Sequence, residues 1–316
     1  TIAETVSLTG DLVPSTALSN RNRLINGDFQ VAQRGTSFVA SANNDDTYNL
    51  DRWYLLSDGN DIVDVTQSST APTNQLTSIG LDVETANKKF GIAQIIESNN
   101  CVGLIGNNVT FSFKAKVSDV SKLDNVKAAI ISWSSTADAV TSDVVSAWAV
   151  EGTNPTLASN LTYENTPADL NLTTSWATYS VSATIDTSST TNVVVFIWSD
   201  VTDTTAGHFL HITDCQIEQG STATPYERMS YADEFPKCQR YYTYSNLDVG
   251  RLHGCLYIGS TYIGQIFFKQ TMRSAPTIAD LTGSYTGTGS IGTGSFHFSK
   301  TSAAAYIDTY TASAEL

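Results

Sequence analysis

Side chains able to do chemistry are spread thinly along this chain of 316 residues. Its four histidines (His208, His211, His253, His297) are scattered, and no H-E-x-x-H, G-x-S-x-G or phosphate-loop pattern occurs. Thirty-one carboxylates leave a glycosidase-type acid pair open, but acid pairs among so many carry little information. No long repeat of the kind that builds a depolymerase β-helix is present. Cys101, Cys215, Cys238 and Cys255 lie far apart without a C-x-x-C pair, so they read as buried free thiols rather than a disulfide frame or zinc site. The expectation is a chain that is not an enzyme. What stands out is aromatic: Trp133, Trp148 and Tyr163 lie in or beside a polar stretch running from Trp133 to Asn171. Flat rings suit the apolar face of a pyranose, which makes these three the candidate glycan-contact set. Trp176 begins an alternating run and Trp198 ends an apolar one, so both read as core or rim.

These side chains need β elements to hold them. Asn108–Val117 and Ala177–Ile185 alternate apolar and polar residues with period two, as half-buried strands do. Val193–Trp198 is continuously apolar, as in a strand covered on both faces, and Phe209–Glu218 closes the set. The exception is Tyr231–Tyr242, which suits a short helix. Such strands without crossover helices predict an all-β chain: a jelly-roll β-sandwich over 23–228, then a small Gly-rich C-terminal β domain over 229–316. Residues 1–22 form no core of their own and read as an arm, either disordered or docked on a neighbour. The polar insertion after Trp133 is a long loop of the kind that carries binding.

In the last segment, Leu256–Phe268 reads as a hairpin turning near Gly259–Gly264. Glycines 283, 287, 289, 292 and 294 then interrupt a strand-like run. A single copy would find little core there, whereas identical chains packed about an axis would suit small residues. Charge divides the same way. The net −14 lies wholly in the first 228 residues, 25 acidic against 11 basic, and the remainder holds six of each. Such a surface is a poor partner for nucleic acid. No apolar run approaches the roughly 18 residues that cross a bilayer, and none resembles a secretory leader. A low charged fraction of 15% is typical of extracellular β proteins, whereas free thiols point to synthesis in a reducing cytoplasm.

Several motifs, in order, resemble one protein group. Asn22-Arg23-Leu24-Ile25-Asn26-Gly27-Asp28-Phe29-Gln30 is similar to the opening strand of carbohydrate-binding-module jelly rolls in phage fibres. Gln33-Arg34-Gly35 and Asp51-Arg52-Trp53 follow, then Gln216-Ile217-Glu218-Gln219-Gly220 with Ala223-Thr224-Pro225-Tyr226-Glu227. Cys238-Gln239-Arg240-Tyr241-Tyr242 resembles a C-Q-R-Y-Y of phage tail fibre and virion proteins. Met272-Arg273-Ser274-Ala275-Pro276-Thr277 and the closing Thr311–Leu316 resemble their C-terminal segment. The resemblance covers residues 22–316. It implies a bacteriophage virion protein assembled in the host cytoplasm, often a homotrimer, that docks on other virion proteins through residues 1–22. It further implies structure and adsorption to host surface glycans as its work. Two alternatives stay open: a head-decoration (capsid) or fibre-base subunit without ligand, and a polysaccharide-degrading tail enzyme. In this group a cation often bridges the first and last strands, which here points to Asp28, Gln30 and Asp214 as a Ca²⁺ set; Gln30 is a neutral amide where a carboxylate is usual. At the D-R-W position, Trp53 is expected in the core and Arg52 in a local pair.

Overall fold

Two sheets face each other because alternating strands each have an apolar side to bury. The computed structural model describes residues 19–123, 125–201, 204–246, 256–301 and 305–316. Early strands are β1 (Ser37–Phe38), β2 (Tyr54–Ser57), β3 (Val63–Ser68), β4 (Ser78–Val83) and β5 (Phe90–Ile96), followed by the short helix α1 (Ser98–Cys101). Then come β6 (Asn108–Val117), β7 (Val126–Trp133), β8 (Val145–Ala147), β9 (Thr156–Leu157) and β10 (Leu161–Tyr163). The sandwich ends with β11 (Ala177–Thr184), β12 (Asn192–Ser199) and β13 (Phe209–Gln219). One sheet has the order β1-β3-β4-β13-β6-β11 and the other β10-β7-β12-β5-β2, with antiparallel pairing throughout. Phe111, Phe113, Leu81 and Ile212 of the first sheet meet Ile92, Ile130, Val195 and Ile197 of the second in one buried core. This is the expected β-sandwich.

β12 is buried at every position, as its unbroken apolar run predicts. Its second face (Val194, Phe196, Trp198) lies under a separate apolar layer built from Val140, Val144 and Val145 of the insertion and from Leu316. The insertion is thus folded down: β8 and β9 pair with each other, and β10 extends the second sheet beside β7.

The N-G-D-F segment differs from the strand its resemblance suggests. Asn26 and Phe29 are left-handed (φ 59° and 57°), so the chain turns here. Gly27 is required: a Cβ at that position would lie 2.2 Å from the Cys215 carbonyl oxygen. Of the N-terminal arm, residues 1–18 fall outside the described residues. Asn20, Arg21 and Asn22 are bound, their backbone N–H groups donating to the Glu227 carboxylate.

After the sandwich comes helix α2 (Tyr231–Gln239), where a helix is expected, capped by the Ser230 side chain. It leads to β14 (Tyr242–Asn246), β15 (Leu256–Ile258), β16 (Thr261–Phe267), β17 (Thr277–Ser284), β18 (Gly287–Gly289), β19 (Ser295–Lys300) and β20 (Tyr306–Ser313). These form two small sheets, β14-β20-β17 and β15-β16-β19-β18. The hairpin turns at Gly259–Ser260. Contrary to the expectation of little core, one copy encloses its own, with Phe296, Phe298, Ile307 and Tyr310 at its centre.

The motif residues turn out to join these parts. Asp51 accepts from Gln33 N and Nε2, both at 2.6 Å, and Trp53 Nε1 donates to the Asn26 carbonyl at 3.0 Å. Arg52 is buried and pairs with Glu315 rather than with a local partner; Arg34 binds the other oxygen of that carboxylate at 3.1 Å. Each guanidinium lies on a ring of the Tyr241-Tyr242 pair, Arg52 3.7 Å from the Tyr241 centroid and Arg34 3.6 Å from that of Tyr242. Arg273 donates to the Ala314 and Glu315 carbonyls, and the Tyr48 hydroxyl donates to that of Leu316. Burial opposes the charge on Arg52, but the Glu315 carboxylate outweighs it, and the guanidinium's pKa is raised above its ordinary value.

Glu315→Gln keeps the shape and removes the charge, leaving Arg52 buried without its counter-ion. We expect a loss of about 3–5 kcal/mol in urea unfolding, together with proteolytic release of the C-terminal domain from an otherwise folded sandwich.

Candidate functional site

Trp133, Trp148 and Tyr163 do come together, all packing on the outer face of the second sheet. A run of ring contacts links Trp148 to Phe196 (6.1 Å), Phe196 to Trp198 (4.7 Å, stacked) and Trp198 to Tyr163 (6.5 Å). The three are half-buried, and two of them are tied down by hydrogen bonds. Trp133 Nε1 donates to the Thr136 carbonyl, and the Tyr163 hydroxyl donates to that of Pro155. Their rings fasten the insertion to the sheet. Trp198 is a core residue and Trp176 a rim one, resting against His211. Burial, reinforced by the Lys116 ammonium, holds the His211 imidazole down at about 4.

Asp28 lies in the N-G-D-F turn, and Asp214 is left-handed at the bulge of β13. Both carboxylates have a buried oxygen, Oδ1, without a hydrogen-bond donor, which is the feature that favours a cation. The rest of the surroundings opposes one. Lys114 Nζ lies 2.8 Å from Asp214 Oδ2, Arg228 lies 3.8 Å from Asp28, and Gln30 Nε2 donates to the Met229 carbonyl. Among the described residues no three Asp, Glu, His or Cys side chains converge to hold a metal. Ca²⁺ takes six to eight oxygens, so Asp28, Gln30 and Asp214 do not fit it. Instead burial, reinforced by the Glu234 carboxylate, pushes the Asp28 carboxyl up to about 6.

A cavity of about 360 Å³ that the sequence did not reveal lies between sandwich and C-terminal domain. At its floor the Glu97 carboxylate accepts from Arg240 (2.7 and 3.2 Å) and from the Tyr241 hydroxyl (2.7 Å). Asn99 and Asn100 on α1, Asn20 and Asn22 from the N-terminal side, and Arg23 and Lys237 supply polar walls; Leu24, Ile25 and Met229 supply apolar ones. The C-Q-R-Y-Y motif was the available signal, but the partner that makes it a floor, Glu97, lies 143 residues away from Arg240. Cys101, Cys215 and Cys238 are buried free thiols, as expected, and Cys255 lies outside the described residues. Burial pushes the Cys101 thiol up to about 12, so it is inert.

No family model matches the chain, and no curated protein matches it. Solved structures do show a distant similarity. The enzymatically active domain of tailspike protein 4 from bacteriophage CBA120 is 14% identical, with a TM-score of 0.39 over 63% of this chain. That match spans 21% of the tailspike chain. A family-61 carbohydrate-binding module in complex with β-1,4-galactotriose is 14% identical, with a TM-score of 0.34 over 64% of this chain and 100% of the module. The CBM22-1 xylan-binding domain from Paenibacillus barcinonensis is 12% identical, with a TM-score of 0.33 over 59% of this chain and 94% of that domain. What they share with this chain is a β-sandwich.

The raised Asp28 pKa has a sign. The folded protein binds this proton more tightly than the unfolded chain, so the contribution is present at low pH and is lost as pH rises through about 6. Between about pH 7 and pH 4, wild type should gain on the order of 2 kcal/mol relative to Asp28→Asn, read from melting curves. Adding Ca²⁺ or a chelator should move neither curve.

Proposed function

We propose that the chain is a non-catalytic virion protein of a bacteriophage, a tail fibre or related appendage subunit that serves in structure and in adsorption to host surface glycans. The ordered motifs from Asn22 to Leu316 support the virion assignment. The observation that carries the glycan reading is the junction cavity. Its asparagine amides offer donors and acceptors to sugar hydroxyls, and Leu24, Ile25 and Met229 offer apolar contact to ring carbons. Single-site affinity of such a cavity is modest, and repeated subunits would hold a host surface by avidity.

Self-association supplies that repetition, and one surface suits it. Leu256, Ile258 and Phe267 are exposed (65%, 56% and 71%). By register they share one sheet face with Ile263. Gly287 and Gly289 lie on the same face, where an added Cβ would meet nothing. The C-terminal domain is also the neutral part of the chain, so copies approach there without the repulsion of the −14 carried by the rest. A homotrimer docked through residues 1–22 is the arrangement we favour.

A second reading, a head-decoration or fibre-base subunit without ligand, is favoured by the half-buried state of Trp133, Trp148 and Tyr163. A glycan array separates the two. Asn99→Ala with Asn100→Ala should weaken glycan binding by about tenfold or more, while Trp148→Phe leaves it intact. Loss in Trp148→Phe alone would move the site to the aromatic face, and silence of the wild type across bacterial surface glycans would favour the structural reading. Mass photometry should show an oligomer that Phe267→Ser with Ile258→Ser converts to monomer; a monomeric wild type would rule out self-association.

A further inference from the structure

Lys89, Asp200 and Lys127 form a buried cluster that neither the cavity nor the domain junction uses. Their side chains are 2%, 1% and 5% exposed. Pairing of Phe90 with Ser199 sets Lys89, just before β5, opposite Asp200, just after β12. Lys89 Nζ is in direct contact with Asp200 Oδ1. The other oxygen, Oδ2, receives the Lys127 ammonium at 2.7 Å and the Gly152 N–H at 2.9 Å. Two ammonium groups thus share one carboxylate, and a positive charge is left over in a site where charge is costly.

We propose that Lys89 and Asp200 join in an intramolecular isopeptide bond. The geometry supplies each part of an acyl transfer: an amine on one side of the carboxyl group and two donors on one of its oxygens. Proton transfer along the Lys89–Oδ1 contact turns the ion pair into an amine and a carboxylic acid. The Nζ lone pair then attacks Asp200 Cγ, forming the N–C bond while the carbonyl electron pair moves onto Oδ2. There the Lys127 ammonium and the Gly152 N–H hold the developing oxyanion. On collapse the Cγ–Oδ1 bond breaks, and Oδ1 leaves as water with its own proton and one from Nζ. Nothing is oxidised or reduced. One positive charge is present before and after, on Lys127 at the end, and a buried ion pair has become a neutral amide.

Lys89 is the nucleophile because Lys127 lies on the oxyanion side, where it also reaches Asn154 Oδ1 at 3.4 Å. The bond would lock two central strands of the second sheet without depending on redox conditions. That suits a chain whose described cysteines are all free.

Intact-mass spectrometry of the folded full-length protein decides the matter. The wild type should be lighter than its sequence mass by one water, and a tryptic map should contain one branched species joining the peptides that carry residues 89 and 200. Lys89→Arg and Asp200→Ala should each return the full mass, and Lys127→Met should leave most molecules uncrosslinked. A wild type at full sequence mass, with the two peptides separate, would overturn the proposal, as would a cross-link mapped to Lys127. The wild-type measurement decides even if a variant fails to fold.

Discussion

Everything at the centre of the molecule depends on the Glu315 carboxylate, which sits between two guanidinium groups. Arg52 is carried into the sandwich by the D-R-W turn in a left-handed conformation, and once there it has no route to water. A buried cation is tolerable only with a counter-charge and a full set of contacts. The counter-charge comes from the other end of the chain, the ring of Tyr241 lies against the guanidinium, and the Ile95 carbonyl accepts from it. The position of the C-terminal domain on the sandwich follows from that requirement. Arg34, Arg273 and Tyr48 fix the same tail from other sides, so the two parts form one body.

This junction also creates the cavity. Arg240 and Tyr241 converge on Glu97 because the backbone that bears them is held by Arg273 and by the tail: Arg273 N donates to the Arg240 carbonyl, and Ala314 N donates to that of Tyr241. Thus residues that weld the domains also form the floor of the cavity, and the glycan reading rests on architecture rather than on a separate loop. The long insertion, by contrast, spends its aromatic rings on covering β12. A polar loop carrying Trp148 and Tyr163 has the composition of a binding loop, and here it acts as the second layer of a core.

The N-G-D-F turn at Asp28 shows a different way of managing charge. Lys114 and Arg228 lie beside the two aspartates, and burial pushes the Asp28 carboxyl up to about 6. The two cations offset part of the negative charge that burial makes costly there.

Sequence alone determined the β-sandwich, the both-sides-buried character of β12, helix α2, the buried free thiols of Cys101, Cys215 and Cys238, and the placement of all net charge before Met229. Periodicity, turn residues and charge counts are local properties, and they are legible one residue at a time. It also ordered the motifs, but it could not say what they were for. Arg52 was expected to pair nearby, and its carboxylate is 263 residues on; the C-terminal segment was expected to lack a core, and it encloses Phe296, Phe298 and Tyr310. Only the tertiary structure decided which aromatic rings are covered, which cations lie beside Asp28 and Asp214, where the cavity lies, and that Lys89 meets Asp200. Each of these depends on contacts between residues far apart in the chain, set by strand register and sheet stacking, for which a single sequence carries no local signal.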